Sequence, residues 1–258
     1  MRHLVTTNTK TIELVKKSIS FIIYAFLLLG FSTCKKPGCI GNAGPVTTIT
    51  RQLQSFNELV ISDNINLVLT QGAEEKMEIT APENIISNIS GNVSQNILTL
   101  SNTTDCRWIR DASEKINVHL FFKDLKKLDY KGSGTITNTD TLELDALHIE
   151  SSSGAGNIIL TLNNRYTGSY ISLENASITL HGKSESCFTY TNNRGITDMS
   201  DFIVKKMVID YEGLSDTYIR VTEELSAVIY HKGNIRYKGN PVITKSITHS
   251  SGRLIQTP

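Results

Sequence analysis

A short turn carrying Gly or Asn recurs along the second half of this chain at intervals of roughly 20 residues. The copies are Gly132-Ser133-Gly134-Thr135-Ile136, Gly154-Ala155-Gly156-Asn157-Ile158, Asn175-Ala176-Ser177-Ile178, Gly195-Ile196, Gly213-Leu214-Ser215-Asp216-Thr217-Tyr218, Gly233-Asn234-Ile235 and Ser251-Gly252-Arg253-Leu254. A period of this size constrains the fold more than any other feature. One coil of a β-helix uses about that many residues, and it buries its apolar face only by stacking on its neighbours. At the turns, glycine is expected to supply corners with φ > 0. A phosphate cradle is the competing reading of Gly-Ser-Gly and Gly-Ala-Gly. It needs a following helix, and for a P-loop a Lys-Ser/Thr end, and the sequence has neither.

The stretches between turns alternate apolar and polar residues with period two, the strand period. Earlier segments do the same: Leu59-Val60-Ile61, Ile65-Asn66-Leu67-Val68-Leu69, Ile97-Leu98-Thr99-Leu100 and Ile116-Asn117-Val118-His119-Leu120. Thr, Ser, Asn, Ile and Val dominate them. Residues 53–122 therefore read as paired or coiled strands, with one helical turn at Ala81–Ile86. The expected fold class is all-β, a β-helix-like solenoid of ~20-residue coils occupying residues 51–258. Any irregular coil is expected within residues 170–225, where the turns at Ser177 and Gly195 lack the full glycine pattern.

The N-terminus has a different character. Lys16 and Lys17 precede an apolar run from Ile19 to Phe31, too short for a spanning helix and the right length for a signal peptide. Gly30, Ser32 and Thr33 lead to Cys34 and resemble a bacterial lipobox, with Phe31 where Leu is usual and Thr33 where Gly or Ala is usual. Residues 1–33 are assigned to a lipoprotein signal peptide, Cys34 to lipidation, and residues 34–50 to a tether. An uncleaved anchor and ordinary secretion are the alternatives. The chain carries a net charge of +1, and without residues 1–33 about −2, which argues against nucleic acid as a partner.

Cys39, Cys106 and Cys187 then remain. Cys39 and Cys106 lie in polar, loop-like stretches and form the candidate disulfide, while Cys187 opens a strand-like run. The alternative is that all three stay reduced, with Cys187 a small core residue. No C-x-x-C spacing occurs and the histidines are scattered, so neither a metal nor a cofactor is expected.

Five stretches in this order resemble a known family: Cys34-Lys35-Lys36…Cys39; Phe56-Asn57-Glu58-Leu59…Asp63-Asn64-Ile65-Asn66-Leu67-Val68-Leu69-Thr70-Gln71-Gly72; Asn102…Cys106-Arg107-Trp108-Ile109-Arg110; Leu128-Asp129-Tyr130-Lys131-Gly132-Ser133-Gly134; and Gly233-Asn234-Ile235-Arg236-Tyr237-Lys238-Gly239-Asn240-Pro241. The family is that of the Bacteroidetes lipoproteins described as auto-transporter adhesins with a head GIN domain. The resemblance covers about residues 34–257. It implies a right-handed β-helix-like fold without an established enzymatic activity, and a place in the cell envelope as an outer-membrane lipoprotein.

Candidate functional residues fall into two classes. Catalysis on a β-helix, as in polysaccharide lyases and hydrolases, needs convergent carboxylates. The candidates are Asp198 with Asp201, Asp210 with Glu212, and Glu223 with Glu224; solvated outer positions are the competing reading. Binding is favoured over catalysis, with a glycan or a surface protein as partner and the membrane engaged through the lipid. Tyr166, Tyr170, Tyr190, Tyr211, Tyr218, Tyr230 and Tyr237 are the candidate exposed aromatics, with core or strand-ladder positions as the favoured competing reading. The cluster Arg107, Trp108 and Arg110 is a second candidate patch, or a cap on one end of the solenoid. A purely structural envelope component is the third reading.

Overall fold

The computed structural model describes residues 44–104, 115–172, 175–192 and 194–258. The signal segment, Cys34, Cys39, Cys106, Arg107, Trp108 and Arg110 lie outside the described residues. Strands make up 69% of the structure and helix 2%, arranged as a β-solenoid of about six turns of ~20-residue coils, so the all-β solenoid expectation holds.

The chain first forms β1 (Val46–Gln52), β2 (Glu58–Asp63), β3 (Ile65–Gln71) and β4 (Lys76–Pro82). A single helical turn, α1 (Glu83–Ile86), leads to β5 (Ile89–Ser94), β6 (Ile97–Asn102) and β7 (Ile116–Phe122). Next come β8 (Lys127–Gly132), β9 (Thr135–Asn138), β10 (Leu142–Ser151), β11 (Asn157–Ser172), β12 (Ser177–Asn192), β13 (Thr197–Tyr211) and β14 (Thr217–Ile229). Three short strands close the body: β15 (Ile235–Lys238), β16 (Val242–Thr248) and β17 (Leu254–Gln256). The body thus takes in residues 46–50 as well as 51–258.

The long strands show how one coil is built. In β11, Ile158, Leu160, Leu162 and Asn164 point inward, and then Thr167, Ser169 and Ile171 do. Between them Arg165 and Tyr166 both point outward. Two outward residues in succession shift the alternation by one step and bend the strand. The same doublet recurs as Asp145-Ala146, Glu185-Ser186 and Lys205-Lys206, and in β14 it widens to the outward run Thr222-Glu223-Glu224. Each coil therefore has a leading leg and a trailing leg whose inner faces meet. The Thr189 hydroxyl of a trailing leg reaches Met199 Sδ of a leading leg at 3.9 Å.

Parallel pairing stacks the coils. Ile158 lies beside Ile178, and Tyr170 beside Tyr190, each pair one coil apart. Irregular register occurs between Thr179 and His181, Met199 and Ile203, and Val204 and Lys206, inside the expected range, and once more between Leu225 and Ser226.

The first coil is placed differently. β2 pairs with both β6 and β8, and β3 with both β7 and β9, all in parallel. The β2–β3 coil is thus held between two coils that come later in the chain. Antiparallel β1 and β4 flank β7, and antiparallel β5 flanks β6. These strands, with α1 packing Ile85 and Ile86 into the core, close the beginning of the stack.

The turn glycines have another cause than the expected one. Gly134, Gly156, Gly195 and Gly233 do not adopt positive φ; only Gly44, Gly182 and Gly239 do among the described glycines. A Cβ on Gly134 would overlap the Ile65 carbonyl oxygen, on Gly156 that of Gly134, on Gly195 that of Ala176, and on Gly233 that of Ser215. Close stacking of coil on coil at the turn, rather than backbone handedness, excludes a side chain there.

Candidate functional site

Stacking in register turns sequence positions into columns. On the outer face of the trailing legs, one column runs Glu150, Tyr170, Tyr190, Asp210, Val228. Beside it runs His148, Gly168, Phe188, Val208, Ser226. The Tyr170 and Tyr190 rings stack at 4.6 Å between centroids with an 18° interplanar angle, close to the strand spacing. His148 and Tyr166 rings lie 5.3 Å apart, and both close over Gly168, where a side chain would strike the imidazole. Tyr170 is 48% exposed and Val208 44%. Further along, Tyr230 stacks on His249 at 5.0 Å.

This face gathers three of the tyrosines singled out from the sequence, Tyr166, Tyr170 and Tyr190, and adds Phe188, Val208 and His148. Tyr218 lies exposed on the leading legs instead, in the column of Asp198 and Arg236. Tyr211 is a correction: it is buried, because its column (Ile171, Thr191, Tyr211, Ile229) faces inward. Its hydroxyl donates to the Ser215 carbonyl. Tyr130 repeats the device, donating to the Gly134 carbonyl at 2.5 Å. Burial pushes both hydroxyls up to about 12. In each case a tyrosine reaches across the turn that follows it by four residues.

Four of the candidate catalytic carboxylates are separately engaged. Asp198 accepts the Ser200 amide at 2.9 Å, and Asp201 faces His181 at 4.0 Å. Glu212 accepts from Asn192 at 2.8 Å, and Glu224 pairs with Lys206 at 2.6 Å. Among the described residues no three His, Cys, Asp or Glu side chains are grouped to hold a metal ion. Cys187 is free and buried in mid-strand rather than opening one, and burial pushes its thiol up to about 12.

At the bend a column of alternating charge emerges: Asp145, Arg165, Glu185, Lys205. Arg165 grips both carboxylate oxygens of Asp145 at 2.8 and 2.9 Å, and Lys205 meets Glu185 at 3.2 Å. Beside it lies a trough of about 630 Å³ lined in part by Asn163, Lys183, Ile203 and Glu223. Sequence reading missed this ladder and the Phe188–Val208 column. Writing the chain in rows of one coil each brings both out.

The family model described as "Putative auto-transporter adhesin, head GIN domain" matches residues 55–241. The chain belongs to the head GIN domain family. Three solved structures share its fold. A putative adhesin of Bacteroides fragilis NCTC 9343 superposes with a TM-score of 0.70 at 21% identity, covering 83% of this chain and 97% of that one. A putative adhesin of Parabacteroides merdae ATCC 43184 gives 0.60 at 20% identity, covering 84% and 98%. A protein of Parabacteroides distasonis ATCC 8503, described as a putative lipid binding protein, gives 0.62 at 18% identity, with the same coverage. A search of curated proteins finds no match. Three of the stretches that carried the family resemblance now have places: residues 56–72 include the inserted first coil, Tyr130 and Gly134 close its junction with the next, and residues 233–241 include the leading-leg strand β15, between β14 and β17. No helix among the described residues is long and apolar enough to cross a membrane.

Proposed function

We propose that this head GIN domain protein is a lipid-anchored cell-envelope adhesin that binds a glycan or protein on a surface through the outer face of its trailing legs. The observation that carries the reading is the ring stack of Tyr170 and Tyr190, set among Phe188 and Val208, with Tyr170 and Val208 exposed and Tyr190 and Phe188 half-buried. Parallel sheets are ordinarily covered on both faces, and exposed apolar or aromatic surface of this kind marks contact sites. The relatives described as adhesins support the same reading. The anchor rests on the basic-then-apolar N-terminus and Cys34.

Two measurements test it. A glycan and host-protein array probed with the full chain is expected to give hits that the Tyr170→Ser/Tyr190→Ser double variant loses; an unaffected pattern of hits, or uniform silence, rejects the face. Cys34→Ala is expected to move the protein from the membrane to the soluble fraction; retention on the membrane rejects the lipid anchor.

A further inference from the structure

The trailing-leg face carries two carboxylates that no cation among the described residues neutralises. Asp210 stands one coil beyond Tyr190, where the two-ring stack ends and a carboxylate takes the place of a third ring. Beyond it the column continues to Val228, which is 5% exposed; Val208 flanks it on its own strand and Glu212 lies just past that strand's end. Among the described residues Asp210 forms no hydrogen bond or ion pair, and Glu212 has only neutral partners, the Asn192 amide and the Tyr190 hydroxyl. Two lysines of the same face are already committed, Lys127 to Glu150 at 2.7 Å and Lys206 to Glu224 at 2.6 Å. Lys245 lies two coils on, in the column of Val208 and Ser226.

A carboxylate half withdrawn from water by valine and tyrosine loses hydration without a Coulomb return. A docked cation restores that return, and an aromatic face beside it adds its own attraction for positive charge. A guanidinium suits the place best. It is planar, pairs with a carboxylate through two N–H donors, and stacks on a ring. Its methylene stem suits the apolar neighbours Phe188 and Val208. We infer that the face docks a basic polypeptide segment, with an arginine laid against Tyr190 on the side away from Tyr170 and paired to Asp210. This rests on the surface-binding reading above and names the chemistry of the partner.

The test is surface plasmon resonance with the full chain at physiological salt, against a blocked peptide of four Arg-Val repeats. Versions with citrulline or glutamate in place of arginine serve as controls. The arginine peptide is expected to bind and the other two are not. Asp210→Asn and Tyr190→Leu are each expected to weaken binding at least tenfold, while Asp198→Asn, a carboxylate on the leading-leg face, leaves it unchanged. Circular dichroism checks the fold, and Tyr190→Leu decides should Asp210→Asn fail to fold. Absence of binding, equal binding of the citrulline peptide, undiminished binding by the variants, or an equal loss in Asp198→Asn overturns the inference. Array hits that are lost in the Tyr170→Ser/Tyr190→Ser variant but survive Asp210→Asn leave surface binding standing and remove only this partner.

Discussion

Residues 46–122 and residues 142–258 build the same stack by opposite means. In the later region each strand pairs with the next coil along the chain, as Leu142 does with Leu162, Ile158 with Ile178 and Ile235 with Leu254. In the earlier region the partners are far apart in sequence: β2 meets β8 with Leu59 beside Leu128, and β3 meets β7 with Leu67 beside Val118. A nearest-neighbour array can form coil by coil, whereas the inserted coil must wait for partners on both sides. The repeated region therefore supplies length, and the earlier region supplies the closed end from which length can be added.

The largest expected effect separates the two regions directly. Leu67 is fully buried and lies beside Val118 of β7 and Ile136 of β9. Leu67→Ala should cost about 2–5 kcal/mol in denaturant unfolding. Hydrogen exchange should quicken from β6 through β9. Leu180→Ala, the same truncation in the array, should quicken exchange only in β11 to β13. Identical exchange maps would break the comparison.

The junction itself comes next. Gly134→Ala drives a methyl into the Ile65 carbonyl and should cost about 1–3 kcal/mol, while Gly72→Ala, with open space around it, should stay within about 0.5 kcal/mol. Equal melting temperatures for the two would show that the turns can relax apart.

A buried tyrosine bridges a turn at the junction, Tyr130, and another does so in the array, Tyr211; losing either hydroxyl should cost about 0.5–1.5 kcal/mol. Their folded-state ionisation lies at about 12, above the unfolded value near 10. The unfolded chain therefore gives up these protons first as pH rises, so the stabilisation is complete below pH 10 and is lost between about pH 10 and 12. Tyr130→Phe and Tyr211→Phe should each flatten that alkaline decline in melting temperature. An unchanged slope would count against burial as its cause.

Smallest is the bend ladder of the array. Arg165→Glu places like charge between Asp145 and Glu185, both solvent-facing, and should lower the melting temperature only slightly, an effect mostly gone at ~1 M salt. A larger, salt-independent loss would mean that the bend depends on more than this charge pattern.

The same contrast explains what was legible in the sequence. Coils after Leu128 announce themselves through turns that repeat at a nearly constant step, and the solenoid follows. The insertion of β2–β3 between β6–β7 and β8–β9 leaves no periodic trace, because the pairings of Leu59 with Leu98, Leu67 with Val118 and Leu59 with Leu128 span three unequal lengths of chain. Period two identifies strands but not which alternate residues face inward, so Tyr211 reads like Tyr190 until the bend doublet at Lys205-Lys206 fixes its phase. Glycine composition identifies the turns, while the reason for glycine lies in a neighbouring coil. The aromatic face was half visible: the tyrosines could be named, but Phe188, Val208 and the isolation of Asp210 depend on columns that only the stacking register defines.

The column register also governs how such a chain can change length in evolution. Adding or losing one residue within a leg exchanges inner and outer side chains from that point to the next turn. Adding or losing a whole coil leaves every column in phase, and simply lengthens or shortens the outer face by one rung. Variation among descendants of this sequence is thus channelled into steps of one whole coil in the array, and the reach of the outer aromatic face becomes a quantity that duplication can set without redesigning the core.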